Sequence, residues 1–445
     1  MSQSRRSFLQ QLAAGAATAP FITRGLLAQS PNSKIRHATF GASGMAWADV
    51  TEIAKHPAIE VVAACDVDQK RTAEFRKKFP EARIYTDYRE LLDKEKDLQT
   101  VNVSTPDHMH APIGMTAMQR GLHVYGQKPL THDIFETRRL TEFAREKKLV
   151  TQMGIQIHSS TEYRTAVMMV QAGAIGKIKE VHTWSNKTWG DIGAMPEKTD
   201  PVPDGLDWDK WLGVSAERPF IGGGWYHPGN WRRRLDFGTG TFGDMGCHIY
   251  DPVFKALALT YPLSVKSRGA APNDHSWATD AIVEYVFPGT THTADKTVRV
   301  TWYDGDQRPP KEVQDLAIVA GDEKKGKLPD QGSIFLGTEG IMVLPHIATP
   351  RLIGDKFKEF SFEKVAGDNH WHQFIEAVLG NRKNGDANFD YAGPMTEAVL
   401  LGSVASRFPN ELLEWDGAGL KFTNVAKANE FVTRQYRKGW EIAGL

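Results

Sequence analysis

The sequence is poor in cysteine, carries no excess of charge of either sign and has no long apolar run. Each absence removes a class of protein. Cys65 and Cys247 are its only cysteines, too few for a disulfide framework. Lys plus Arg and Asp plus Glu both number 54, which argues against nucleic-acid binding through a broad basic face. No apolar stretch reaches the roughly 18 residues of a membrane-spanning helix. There is no internal repeat and no low-complexity tract. What remains is a 445-residue chain, 41% hydrophobic and 24% charged, with the balance of a globular protein and the length for two or three cores. Twelve Trp, 21 Phe and 11 Tyr are a generous aromatic complement. Core and interface packing claims most of them, although such rings also line carbohydrate-binding surfaces.

The amino terminus reads as an address. Ser4-Arg5-Arg6-Ser7-Phe8-Leu9 is followed by a mild apolar stretch from Leu12 to Ile22 and then Arg24, the pattern of a twin-arginine export signal. Cleavage near Ala28 is expected, so residues 1–28 are a signal peptide and the mature chain has a net charge of −3. That route carries folded proteins, commonly with a cofactor on board, and the expected location is the periplasm or otherwise outside the cytoplasm.

From Lys34 the chain alternates strand and helix. Ile35–Phe40 is a short apolar strand, Gly41-Ala42-Ser43-Gly44-Met45-Ala46 opens a helix, and Ile59–Cys65 is a second strand ending in Asp66. Missing side chains in such a turn let the backbone approach a pyrophosphate, which sits at the helix N-terminus. Asp66 falls where a carboxylate meets the ribose hydroxyls, favouring NAD over NADP. Ser43 and Ala46 stand where the fingerprint has glycines, so it is the place of the turn between two strands that carries the reading. Further strands end at Ser104-Thr105-Pro106, at Gly126-Gln127-Lys128-Pro129 and at Gln156. Ligands of open parallel sheets bind beyond the carboxyl ends of the strands, so Thr105, Pro106, His110, Gln127, Lys128 and Gln156 should share one crevice with the turn.

After Gln156 this rhythm stops. Lys179–Trp184, Ala281–Val286 and Thr297–Trp302 predict strands of a broad antiparallel sheet, and residues 303–335 predict a long loop. Between them lies Gly243-Asp244-Met245-Gly246-Cys247-His248. On a helix, Asp244 and His248 would share a face at i, i+4, and an Asp that orients a His makes a general base. The expected fold is α/β: a Rossmann nucleotide-binding domain at 34–155, then an α+β domain at 156–445 with a large, mostly antiparallel open sheet. The late helices should pack back on the first domain.

The ordered set of Gly-rich turn, Asp66, Ser104-Thr105-Pro106-x-x-x-His110, Lys128-Pro129 and Asp244-x-x-x-His248 resembles the Gfo/Idh/MocA oxidoreductases, the family of glucose–fructose oxidoreductase and inositol dehydrogenase. Gln127 replaces the usual Glu and, with the export signal, resembles the exported branch. The resemblance implies oxidation or reduction of a secondary hydroxyl of a sugar, glycoside or polyol. His248 would be the base, with Lys128 on the same oxygen and Asp244 holding the imidazole. Free NAD is scarce outside the cytoplasm, so the cofactor is expected to be tightly bound. The resemblance also implies a homodimer or homotetramer through the C-terminal sheet. Two other readings stay open. One is an NAD-dependent glycosidase that works by transient oxidation, and the other is a carbohydrate-binding protein without catalysis. Lys187, Trp231 and Arg232, with Trp225, are the substrate-shelf candidates, while Arg232-Arg233-Arg234 could equally be a solvated or subunit-facing run. Cys247 reads as a packed thiol. The pairs His108-x-His110 and His370-x-His372 lack the ligand set of a metal site, which His227 and Asp251 would add to only by converging on His248.

Overall fold

The computed structural model describes residues 34–317, 328–357 and 362–445. The expected signal peptide lies outside these.

The apolar runs of the first half become six parallel strands, β1 (Ile35–Phe40), β2 (Ile59–Cys65), β3 (Arg83–Tyr85), β4 (Thr100–Val103), β5 (His123–Gly126) and β6 (Thr151–Met153), in the order β3-β2-β1-β4-β5-β6. Strands buried on both faces read as continuous hydrophobic runs, and β4 is buried at all four positions. Helices Met45–Ile53, His110–Gln119 and Ile134–Glu146 cover the sheet. Asp133 and Glu136 close the last of these with a capping box.

Among the described residues the second half forms nine strands: β7 (Ile178–Ser185), β8 (Ser264–Arg268), β9 (Ile282–Pro288), β10 (Thr297–Asp304), β11 (Gln331–Gly337), β12 (Ile341–Pro345), β13 (Arg351–Ile353), β14 (Leu412–Asp416) and β15 (Lys421–Phe422). Their order is β13-β12-β11-β7-β10-β9-β8-β14-β15. Only β7 and β10 run parallel; every other pair is antiparallel. The expected loop at 303–335 is interrupted by regular elements among its described residues. Its first two residues finish β10, Lys311–Leu316 is a helix, and β11 takes its end; residues 318–327 lie outside the described residues. The turn-forming Asp-Gly and Pro-Pro pairs mark the ends of these short elements, not one continuous loop.

The late helices return to the first domain. His56 Nε2 meets Glu376 Oε1 at 2.8 Å, and Arg138 grips the buried Glu397 through two bonds of 2.8 Å. One continuous core therefore runs from β4 through helix Phe389–Ala405 to β9 and β10.

Candidate active site

The crevice starts where β1 turns into helix Met45–Ile53. Gly41 has φ +96°, and a Cβ there would lie 2.7 Å from the Ser104 carbonyl oxygen and 2.8 Å from the Ala46 Cβ. The turn thus demands glycine at 41 and a small residue at 46. Asp66, at the end of β2, accepts hydrogen bonds from the Ala42 and Asp68 amides, both at 2.9 Å. Burial pushes its carboxyl above the usual range, and those two amides oppose the shift. Arg71 Nε donates to Ser43 Oγ at 2.8 Å.

Gly41, Ser43, Gly44, Met45, Asp66, Thr105, Pro106, Gln127, Lys128 and Gln156 all line one cavity of about 350 Å³, which ends at Trp231, Arg232 and His248. This is an elongated cradle with open backbone at one end, a carboxylate beside it and titratable groups at the other, and it fits a dinucleotide. Two of the sequence candidates stand behind it. Ala46 is buried beneath Gly41. The ring of His110 is clamped between the carbonyls of Pro129 and Thr105, both at 2.8 Å, so it braces two strand ends and does not face the cavity.

At the far end Lys128 Nζ meets Asp244 Oδ1 at 2.6 Å and the Asp244 carbonyl at 2.9 Å. Asp244 also accepts from Trp189 Nε1 at 2.8 Å and from Arg232 Nε at 3.3 Å. Burial alone would raise its carboxyl, but Lys128 and Arg232 hold it well below the usual carboxylate range. The expected Asp244–His248 hydrogen bond is not formed. Residues Phe242–Gly246 make a π-helical turn, and the regular helix begins only at Cys247. Four-residue spacing no longer stacks the two side chains. His248 Nδ1 is buried without a partner. Burial, with the charge of Lys128, lowers the imidazole well below its ordinary value, so it is neutral near pH 7.

The second domain roofs this crevice. Asp207 donates its amide to the Val67 carbonyl at 2.9 Å, Gln69 to that of Gly205 at 2.8 Å, and His227 Nε2 meets Asp68 Oδ2 at 2.8 Å. Trp211, His227 and Pro228 consequently face the same cavity as the Gly41 turn.

Several residues carried no signal in the sequence. Asp49 is fully buried and accepts from Gln127 Nε2 (2.9 Å), Ser104 Oγ (2.8 Å) and Trp371 Nε1 (2.9 Å). Burial pushes its carboxyl up to about 6. Gln127 in turn accepts from the Lys128 amide at 3.1 Å. A buried carboxylate thus stands behind Gln127, held by the Gln127 side-chain amide. His346, beyond β12, lies with its ring centre 5.8 Å from that of His248.

The arginine run is only partly solvated. Arg232 faces Asp244, and Arg234 is buried against Asp191. Trp225 stacks on Arg234, 3.3 Å from guanidinium carbon to ring centre. Trp231 is buried at the cavity wall, while Lys187 is exposed outside it. Burial drives the Cys247 thiol up to about 12, which suits a packed group. Asp251 binds His158 and Tyr391, so neither it nor His227 converges on His248. Among the described residues no three His, Cys, Asp or Glu side chains gather as metal ligands.

Residues 35–155 match the family model described as oxidoreductase family, NAD-binding Rossmann fold (GFO_IDH_MocA), and residues 167–308 match its C-terminal alpha/beta domain. Among curated relatives, the levoglucosan dehydrogenase of Pseudarthrobacter phenanthrenivorans is 26% identical over 27% of this chain and 30% of its own length. The dTDP-3,4-didehydro-2,6-dideoxy-alpha-D-glucose 3-reductase of Streptomyces antibioticus is 28% identical over 38% and 52%. The alpha-N-acetylgalactosaminidase of Shewanella oneidensis is 26% identical over 39% and 44%. The chain therefore spans a third to a half of these relatives. The WlbA dehydrogenase of Chromobacterium violaceum, solved with NADH and UDP-GlcNAcA, superposes with a TM-score of 0.63 at 14% identity, covering 89% of this chain and 99% of that one. Its likeness is one of fold.

Proposed function

Because the chain belongs to the Gfo/Idh/MocA oxidoreductase family, we propose that it oxidises or reduces a secondary hydroxyl of a sugar, glycoside or polyol. The observation that carries this reading is a single cavity joining the Gly41 turn and Asp66 to Lys128 and His248. A nicotinamide dinucleotide bound there supplies the hydride acceptor. Gly41, Ser43, Gly44, Asp66, Thr105 and Gln156 would hold it. His248, neutral and lining the cavity, takes the hydroxyl proton. Lys128 donates to the same oxygen and offsets the charge that develops on it. Asp244 keeps Lys128 in place.

The roof tied down by Asp68–His227 and the Val67–Gly205 strip supports a cofactor that stays bound between turnovers. The mass of the small molecule that co-purifies tests this first. Incubation with methyl glucosides and myo-inositol then tests the chemistry. A keto product supports net oxidation, a released aglycone turns the reading to the redox-neutral glycosidase, and bound nucleotide with neither product overturns catalysis on these substrates.

Asp66 at the adenosine end supports NAD over NADP. Asp66→Ala should narrow the preference about tenfold in competitive binding; tighter NADP binding by the unaltered protein would reject the assignment. The reading also includes export, supported by Arg5-Arg6, and association of copies through the second sheet. One face of that sheet carries the half-buried Ile282, Leu336, Ile341 and Ile353. The double change Arg5→Lys, Arg6→Lys should leave folded precursor in the cytoplasm, and normal export of that variant would remove the signal assignment.

A further inference from the structure

His346 lies outside every motif read from the sequence, yet its ring sits beside that of His248. It follows β12, whose pairing with β11 is continued by a 2.9 Å bond from the His346 amide to the Gln331 carbonyl. Its Nδ1 lies 2.8 Å from Tyr163 Oη. Tyr163 is buried, and this is the only hydrogen bond of its hydroxyl among the described residues. A buried phenol with no other acceptor donates its proton to that nitrogen, which places the ring hydrogen of His346 on Nε2. Nε2 has no partner among the described residues. Burial, with Lys128 and Lys187 adding, lowers the imidazole to about 4, so it stays neutral. The structure thus holds, 5.8 Å from the His248 ring centre, a second imidazole of fixed tautomer with a free N–H.

We propose that His346 is a substrate-positioning residue whose Nε2–H donates to the hydroxyl oxygen adjacent to the one His248 deprotonates, so that the site selects a vicinal diol. The inference rests on the reading that a hydroxylated ring enters beside His248. Two imidazoles at this separation can each reach one oxygen of neighbouring hydroxyls on such a ring. A base and a donor of unlike roles would then fix which carbon of the ring reacts. Tyr163 acts through His346, since without its hydroxyl the ring could carry its hydrogen on either nitrogen.

The test uses the full chain with its nucleotide bound. Binding of methyl β-D-glucopyranoside and its monodeoxy analogues is followed by equilibrium dialysis, and turnover by the absorbance of reduced nicotinamide. His346→Ala should raise KM about tenfold with a smaller fall in kcat and no change in nucleotide content. One monodeoxy analogue should bind the unaltered protein about tenfold more weakly than the parent glycoside, and that difference should vanish in His346→Ala. His346→Gln, which keeps a neutral donor, should recover most of the loss, and Tyr163→Phe should fall between. Unchanged KM and unchanged deoxy discrimination in a folded His346→Ala protein would overturn the proposal and leave the catalytic reading standing. Glycoside binding that depends on His346 but yields no reduced nicotinamide would uphold positioning and overturn the catalytic reading. No glycoside binding to the unaltered protein would overturn both.

Discussion

His248→Asn is expected to lower turnover by about 100- to 10,000-fold while leaving the fold and the bound nucleotide in place, the span that general acid–base catalysis contributes. In barrier terms that is at least about 2.7 kcal/mol. The imidazole has no hydrogen bond to lose at Nδ1, so Asn removes a base without breaking a structural contact. The pH dependence gives the sign. Burial and the charge of Lys128 lower the folded-state pKa of His248. The neutral, proton-accepting form is therefore present above that lowered value and is lost as the pH falls through it. Sequence reasoning alone sets this acid limb near the ordinary imidazole value; the burial seen here moves it lower. Oxidation by the unaltered protein should stay flat through neutrality and fall only in acid, and His248→Asn should lack that limb. Turnover and melting temperature measured on one preparation separate the alternatives. A variant that melts early and still turns over at nearly the original rate would take His248 out of the mechanism.

Local pattern made the first half of the site readable. Gly41, Asp66, Thr105 and Lys128 each end a short apolar run, and a parallel sheet necessarily gathers the ends of its strands at one edge. What could not be read depends on partners far apart in the chain. Asp49 lies on the helix after the turn and looks like any exposed acid of an amphipathic segment until Gln127 and Trp371 close over it. The roof depends on His227 meeting Asp68 across 159 residues, and His346 gains its meaning only from Tyr163, 183 residues earlier. Gln331-Gly332-Ser333, which opens β11, reads as a turn, and a short helix and two strand ends punctuate 303–335 as a loop does.

The Asp244 assignment went astray for a different reason, and a substitution there decides between two geometries. An i, i+4 pair presumes an α-helix, but Gly243 and Gly246 sit in a π turn. A Cβ on Gly246 would meet the Phe242 ring at 2.5 Å. Asp244 is turned toward Lys128, Trp189 and Arg232. Lys128 and Asp244 are both only 13% exposed, and breaking such a pair leaves an uncompensated charge. Asp244→Ala should therefore cost about 3 kcal/mol of stability, toward the lower end for a buried pair because the cavity admits water to Lys128. Asp244→Asn keeps the shape and is the variant for kinetics. It should reduce turnover through Lys128, so that adding Lys128→Ala costs far less than it does in the unaltered protein. The acid limb set by His248 should survive, moved to still lower pH because a nearby negative charge that favours the imidazolium is gone. If Asp244 instead oriented His248, Asp244→Asn would reproduce the His248→Asn profile, limb lost, and Lys128→Ala would retain its full effect on top. The pH profile of the single variant and the non-additivity of the pair therefore both report which side chain this carboxylate serves.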